Sequence, residues 1–507
     1  MPSPTGTTTI EDIIRDDRMP EQIIYDLKQK TIDVRPWGDL VKEYDPKQHP
    51  VYTDKDYRDK VKHGKTERMC RITYAIEKQS VKRMKELMFS IPVKRKYTTK
   101  DEKQKQAASI MEAIFKKNHI NSLNIKRAHK LFASCEIATI WYTQEADTNY
   151  AGVKSSVKLR CRTYSPMDGD MLYPLFDEYD DMIALSVEYK RVINNVTIYY
   201  FDTYTDSFHW RWVNQGNGWQ ADIEPEAIEI KKIQGIYLWR KDPIWEDQAD
   251  NGYELEWSQS RNGNYLRKNS RPTWVIFSDS STPVGKNREP VDDNSGRNVL
   301  RYKQGDKAGY ATWQQAVDAL KLHTEELRRN IHTTLQLPDM SMDQMKSTPM
   351  SGEARKMLFI DCQMKVTDES GDWIEFFDRE INVVRAFCME MFPDLADAFE
   401  ALAVENIITP FQINDASQEI KDLSDATGGK AVMSQRTAVR RLSAVPEEEV
   451  DDELQAIKDD ETEASDAFMN EPTMETGEEG QEQWQRRSRK ARGRASARSC
   501  QRFITSC

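Results

Sequence analysis

Between two long helical patterns the chain carries LQLPDMSMDQMKSTPMSGEARKMLF, residues 335–359. Before it, Val317, Leu320, Leu327, Ile331 and Leu335 recur at helical spacing from Trp313 onward. After it, a long helix opens near Gly352, with Trp373, Phe377, Ile381, Val384, Cys388 and Met391 as its stripe and Gly371 as an expected kink. The stretch between holds Pro338, Pro349, four methionines (Met340, Met342, Met345, Met350) and few charges. A structureless connection of about fifteen residues is uncommon inside a domain unless it has a task. Ser351-Gly352 then reads as a cap-like start for the next helix.

Working outward, residues 246–266 are mostly polar and predict a helix weakened by Gly252 and Gly263. RPTWVIFSD and RNVLRYKQG predict two strands around a polar loop, and GDKAG a turn into the next helix. Residues 136–240 hold short β-branched and aromatic runs separated by turns such as INN and NQGNG, which predict a largely antiparallel sheet. Residues 21–134 are mainly helical. There Ile72, Ile76, Val81, Met84 and Met88 share a face and Pro92 ends the run. ENIITPFQI predicts an edge strand, because its proline cannot donate to a ladder. DASQEIKDLSDATGG and SQRTAVRRLSAV follow as helices, the first stopped at Gly428. Residues 1–20, the acidic block Glu447–Glu482 and the basic end RRSRKARGRASARS are expected to be disordered.

Composition narrows the function. The chain has 507 residues, a net charge of −11, 31% charged and 38% hydrophobic residues, so it is polar and acidic with ample length for buried cores. That balance argues against a sequence-specific DNA binder with a basic face, but not against a protein that DNA merely passes. No apolar run is long enough to cross a membrane, and the first residues lack a secretory pattern. Seven scattered cysteines without CxxC spacing read as reduced thiols.

Signals of catalysis are poor. HGKT, His63–Thr66, resembles the end of a phosphate loop, but the first glycine would have to stand where Asp59 is. His323 and His332 are nine residues apart on one helix and do not face one site. Asp177, Glu178, Asp180 and Asp181 suit a solvated turn better than a cation site. Trp210, Trp212 and Trp219 offer surfaces for base stacking, but a sheet core explains them more simply. Lys321, Arg328 and Arg329 cluster on the helix before the loop, either as its wet face or as a surface for phosphates or a neighbouring subunit.

The succession of elements resembles the portal (connector) proteins of long-tailed bacteriophages, the siphophage-type portal family. The resemblance begins at WGDLVKEYDPKQHPVY and continues through RITYAIEKQSVKRMKELMFSIPV and TYSPMDGDMLYPLFDEYDDMIALSVEYK. Its most specific part is the quoted loop, where Ser351, Gly352, Ala354 and Lys356 match the family's opening of a long helix after the tunnel loop. It ends at VMSQRTAVRRLSAVPEEEVDDELQAIKDDE and covers roughly residues 35–465. The polar helix at 246–266 is short and glycine-broken for a stem helix, and the tail from Arg486 has no counterpart.

The resemblance implies an α+β portal fold with long helices, a wing sheet, a small β-containing clip and a helical crown. Its parts would be a disordered terminus (1–20), a wing of helices then sheet (21–243) and a first stem helix (244–266). A clip (267–309), a second stem helix (310–335) and the tunnel loop (336–351) follow. The long wing helix with an edge strand (352–413), crown helices (414–465) and a disordered acidic then basic tail (466–507) complete the chain.

The implied activity is not enzymatic and needs no cofactor or metal. A ring, usually of twelve copies, stands at one capsid vertex of the virion, is assembled in the host cytoplasm, and passes double-stranded DNA without sequence specificity. The implied partners are the terminase large subunit, the major capsid protein, the scaffold protein and a head-completion adaptor, with no membrane involved. DNA would face Pro338, Asp339, Met340, Met342, Asp343, Met345, Lys346 and Met350 of the loop, and the basic stem residues Lys321, Arg328 and Arg329. Trp274, Phe277, Lys286 and Arg288 would meet terminase or adaptor on the clip. The tail would offer Arg486, Arg487, Arg489, Lys490 and Arg492 to DNA. Competing readings are another virion head protein (a minor capsid or adaptor protein) and a DNA-packaging ATPase or nuclease. The last requires a complete phosphate loop or a paired-carboxylate metal site.

Overall fold

A computed structural model describes residues 10–411, then 423–424, 427, 433–441 and 450–469. Within the first range, 16, 30–31, 63–64, 223, 270–272, 278–290, 293–297, 300–306, 312–316 and 338–359 are not described. The chain divides into two compact units, Met1–Gln412 and Ile413–Cys507.

The first unit begins with helices α1 (Ile10–Ile13), α2 (Pro20–Leu27), α3 (Trp37–Tyr44) and α4 (Pro50–Thr53), then the hairpin β1 (Lys60–Lys62) and β2 (Lys65–Glu67). Lys65 and Thr66 of HGKT therefore stand on a strand and not at the start of a helix, while His63 and Gly64 lie outside the described residues. Helix α5 (Ile76–Phe89), strand β3 (Lys94–Thr98) and helices α6 (Glu102–Lys117) and α7 (Ile120–Ser134) follow. Helix α5 starts only at Ile76. Ile72, expected on its stripe, belongs to the segment before it, which is neither helix nor strand.

The sheet region is antiparallel, as its period-two pattern predicts. Strands β4 (Glu136–Tyr150) and β5 (Val153–Tyr164) form a long hairpin; β6 (Met171–Phe176), β7 (Met182–Ile193), β8 (Val196–Tyr204), β9 (Phe208–Asn214) and β10 (Trp219–Ala221) form a meander. Strand β11 (Glu226–Ala227) also pairs with β9, and β12 (Gly235–Trp239) pairs with β4. Ala138, Ile140, Tyr164, Leu172, Leu185, Val187, Tyr189, Tyr204 and Tyr237 form one core between the two sheets. Gly235 has no Cβ because Leu185 Cδ2 would lie 2.4 Å from it.

On the meander, Ile13, Ile23, Ile24 and Leu27 pack with Phe201 and Trp212. Disorder does not extend over all of residues 1–20, since burying Ile13 and its neighbours offsets the ordering cost of the first two helices. The tryptophans are core elements here: Trp212 is buried, and Trp219 meets Phe201 with ring centroids 6.0 Å apart.

Helix α8 (Ala249–Asn269) leads to β13 (Thr273–Phe277), β14 (Val291–Asp292), β15 (Asn298–Val299) and β16 (Lys307–Ala311), and then to helix α9 (Val317–Leu335). The partner of β13 is β16. The stretch expected as a turn into α9 is thus partly strand, while only Asn298–Val299 of RNVLRYKQG is described as strand. A helix Ile360–Met391 runs through Gly371 without a break; among the described residues, nothing outside the helix's own local backbone comes within 4 Å of the Cβ position there. Its buried stripe sets Trp373 edge-on to Phe89 at 4.9 Å and against Phe376 and Phe377. Among the described residues, strand β17 (Ala403–Ile407) pairs with β3 alone, in line with its expected edge position.

In the second unit, helices Gln435–Arg441 and Val450–Met469 are described, joined by a 2.9 Å ion pair between Arg436 and Asp451. The acidic block is therefore not structureless throughout. Asp451, Asp452 and Glu453 stand in the first turn of the second helix, where the helix dipole favours negative charge.

Candidate stem and wing–stem junction

Helices α8 and α9 pack as a pair before and after the β13–β16 region. Leu327, Ile331 and Leu335 are buried on α9, and Leu255 on α8. Gln259 Nε2 donates to Thr324 Oγ1 at 3.0 Å, and His323 Nε2 lies 3.5 Å from Glu254 Oε1.

Helix α8 survives two glycines and a polar composition because its polar side chains have a backbone to satisfy. Glu256, Ser260 and Asn264, four residues apart, face the extended segment 70–74. Tyr74 N–H donates to Glu256 Oε1 at 2.6 Å, Ile72 N–H to Ser260 Oγ at 2.9 Å, and Cys70 N–H to Asn264 Oδ1 at 2.6 Å. Ser260 Oγ donates in return to the Ile72 carbonyl at 3.3 Å. Two residues of extended chain advance about 6.6 Å and four residues of helix about 6 Å, so the two repeats stay in step over three contacts. Gly263 lets the segment approach: a Cβ there would lie 2.6 Å from Cys70 Sγ.

The same helix anchors a buried ionisable cluster. His49 is fully buried, its Nδ1 2.9 and 3.0 Å from the two oxygens of Glu256, its Nε2 2.6 Å from the Glu43 carbonyl oxygen. Tyr253 stands edge-on to the ring at 5.4 Å. Burial works against the imidazolium, but the hydrogen bond and charge of Glu256 and the charge of Glu77 outweigh it, and the His49 pKa is raised. Glu77 Oε2 lies 3.8 Å from His49 Nε2. It is buried without a hydrogen-bond partner, and burial pushes the Glu77 carboxyl up to about 7. Nearby, Trp245 Nε1 donates to Glu43 Oε2 at 3.0 Å, and Arg35 pairs with Glu43 and Glu246.

A second buried ion pair ties the helix Ile360–Met391 to α7 and β4. Arg127 of α7 donates to Glu380 at 2.7 and 3.3 Å and to Asn124 Oδ1 at 3.0 Å, while Trp141 Nε1 donates to Glu380 at 3.1 Å.

The basic residues expected on the stem lie on exposed positions of α9. Lys321 is 3.8 Å from Glu325, and the Arg328 guanidinium lies 6.0 Å from the Tyr74 ring centre. Asp318, Glu325 and Glu326 are exposed on the same helix, so three acidic side chains accompany Lys321, Arg328 and Arg329. Trp274 and Phe277 stand on β13, opposite Tyr310 and Lys307 of β16. Lys286 and Arg288, the loop residues Pro338, Asp339, Met340, Met342, Asp343, Met345, Lys346 and Met350, and the tail residues Arg486, Arg487, Arg489, Lys490 and Arg492 lie outside the described residues. Asp177 Oδ1 accepts from the Tyr179 and Asp181 N–H groups, a self-satisfied turn. Among the described residues no group of His, Cys, Asp and Glu is arranged to hold a metal ion, and no helix is long and apolar enough to cross a membrane.

Sequence reading missed the His49–Glu256–Glu77 cluster and the polar ladder of α8. The four-residue spacing of Glu256, Ser260 and Asn264 was the available signal.

Residues 39–467 match the family model described as phage portal protein, SPP1 Gp6-like. The chain belongs to this family of phage portal, or connector, proteins. No curated protein matches the chain. Similar solved structures come from gene transfer agent particles. A chain in the neck of an empty particle computed with C6 symmetry is 9% identical, with TM-score 0.41, covering 74% of this chain and 90% of that one. One in the virion of a native particle is 10% identical, with TM-score 0.39 and coverages of 84% and 98%. One in the neck of a native particle computed with C12 symmetry is 10% identical, with TM-score 0.40 and coverages of 83% and 96%.

Proposed function

We propose that this portal protein assembles into a closed ring of twelve copies at one vertex of a phage capsid. The ring is the channel through which double-stranded DNA is packaged and ejected. The observation that carries this reading is the family match over residues 39–467, which takes in helices α8 and α9 and the connection between α9 and the long helix. The clip, residues 267–309, docks the terminase large subunit during packaging and a head-completion adaptor afterwards. The wing meets the major capsid protein and the scaffold protein during assembly in the host cytoplasm. ATP hydrolysis belongs to the terminase, and this chain acts without catalytic centre or cofactor.

Electrostatics supports passage over capture. DNA carries about one negative charge per 1.7 Å, and every cation held on a phosphate adds salt-sensitive affinity. A stem helix whose exposed cations are matched by Asp318, Glu325 and Glu326 keeps that affinity low, so DNA slides. In the loop 336–351, Lys346 stands against Asp339 and Asp343, and flexible methionines offer apolar contact without a grip.

Electron microscopy of the purified chain in negative stain is expected to show rings with a central hole, with a mass many times 59.0 kDa. A stable monomer that hydrolyses ATP would overturn the reading.

A further inference from the structure

Hydrogen-bond logic fixes where protons sit at the root of α8. His49 Nε2 faces the Glu43 carbonyl oxygen, which only accepts, so Nε2 carries a proton. Nδ1 faces both oxygens of Glu256, one of which already accepts the Tyr74 amide. A bare nitrogen lone pair against a carboxylate is repulsive, so one proton lies between them, and the His49–Glu256 pair is neutral overall. Glu77 is then the odd group. Its Oε2 is buried with no hydrogen-bond partner, beside a neutral pair. Burial opposes an ionised carboxylate in such a place, its own backbone N–H and His49 offset that only in part, and a proton removes the cost.

The elements packed around the cluster contribute ionisable groups, and among the described residues none adds a further cation beside Glu77. Helix α3 gives Glu43, already engaged by Arg35 and Trp245, and the following turn gives Asp45, 3.7 Å from Lys78. Helix α5 gives Glu77. Helix α8 gives Glu256, Tyr253 and, near that phenol, Asp250; Glu246 lies just before it and pairs with Arg35. On α9, Arg328 lies over the Tyr74 ring, outside the cluster.

We propose that His49, Glu77 and Glu256 form a proton-operated latch between the wing helices α4 and α5 and the stem helix α8. With the protons in place, α8 holds segment 70–74 through Glu256, Ser260 and Asn264. Loss of the proton on Glu77 leaves a buried charge that its surroundings offset only in part, and loss of the His49 proton breaks the bond to Glu256. Both losses favour release of the segment. The signs agree. Both groups bind protons more tightly when the junction is closed, so closure is favoured at low pH and weakens as pH rises through neutrality.

Hydrogen–deuterium exchange of the intact assembled protein between pH 6 and 9, corrected for the intrinsic pH dependence of exchange, tests the latch. With the Glu77 carboxyl near 7 when closed and at its ordinary 4.5 when open, opening of segment 70–76 should rise about tenfold across that range. Peptides of β7 and β8 serve as the control and should stay constant. Glu77→Gln, which keeps the shape of a protonated carboxyl, should flatten most of the dependence. Corrected exchange in 70–76 that is level from pH 6 to 9 in the unaltered protein overturns the proposal, whether or not the variant folds. A Glu77→Gln protein with an unchanged tenfold rise overturns it equally.

Discussion

Asn264 accepts the Cys70 amide at 2.6 Å while the glycine beside it, Gly263, leaves the space that Cys70 Sγ fills. A hydrogen bond and a missing methyl group on consecutive residues thus set one close approach. The glycine that looked like a defect in a stem helix is what lets an extended segment lie along that helix.

Gly263→Ala separates helix propensity from packing. Alanine favours an exposed helix interior by about 1 kcal/mol. Here its Cβ would meet Cys70 Sγ at 2.6 Å, and overpacking of this kind typically costs about 1–3 kcal/mol. The expected result is a lower thermal midpoint at fixed protein concentration, recovered at least in part by adding Cys70→Ala. A midpoint raised by Gly263→Ala alone would contradict the close approach.

Arg127 and Glu380 are both essentially unexposed and hydrogen-bonded on several sides. Removing one partner strands the other, at a cost of about 3–5 kcal/mol. Glu380→Ala and Arg127→Ala should each lower the denaturant midpoint sharply. In a double-mutant cycle the double variant should lose much less than the sum of the two. Additive losses would mean the pair is not coupled.

Deleting residues 338–349 tests the loop assignment. Rings should still form, because the helix contacts of α9 remain. DNA packaging or retention should fall. A normal yield of infectious particles after the deletion would refute a role for the loop in the channel.

Removing residues 486–507 takes away the cluster Arg486, Arg487, Arg489, Lys490 and Arg492. If that tail holds phosphates, DNA retention should weaken and become less salt-sensitive, while the ring persists. Filter binding across a salt series would show it, and an unchanged slope would rule the tail out as a DNA contact.

Long elements with a clear period were legible in the sequence. The stripe Leu327–Ile331–Leu335 and the stripe Trp373–Phe377–Ile381 are buried as their spacing demands, and the alternating strands form antiparallel ladders. Helix α8 was harder, since its stability comes from satisfying another segment's backbone and not from an apolar face. The kink expected at Gly371 fails because a helix flanked by good packing tolerates one glycine. Ile72 was assigned to the wrong element because an apolar residue four positions before Ile76 fits a helical stripe, while its hydrogen bonds go to Ser260. The buried cluster was hidden because His49, Glu77 and Glu256 are about 30 to 210 positions apart, and a single sequence gives no sign that they meet.

The matched repeats of helix α8 and segment 70–74 also restrict how the junction can give way. Three side chains grip three alternate amides in one register, so sliding by one residue would present none of the amides to its acceptor. A slip that keeps any of these bonds must move by two residues at once. Helix α8, held in this manner, changes its attachment to segment 70–74 in steps of two residues and not by a gradual slide.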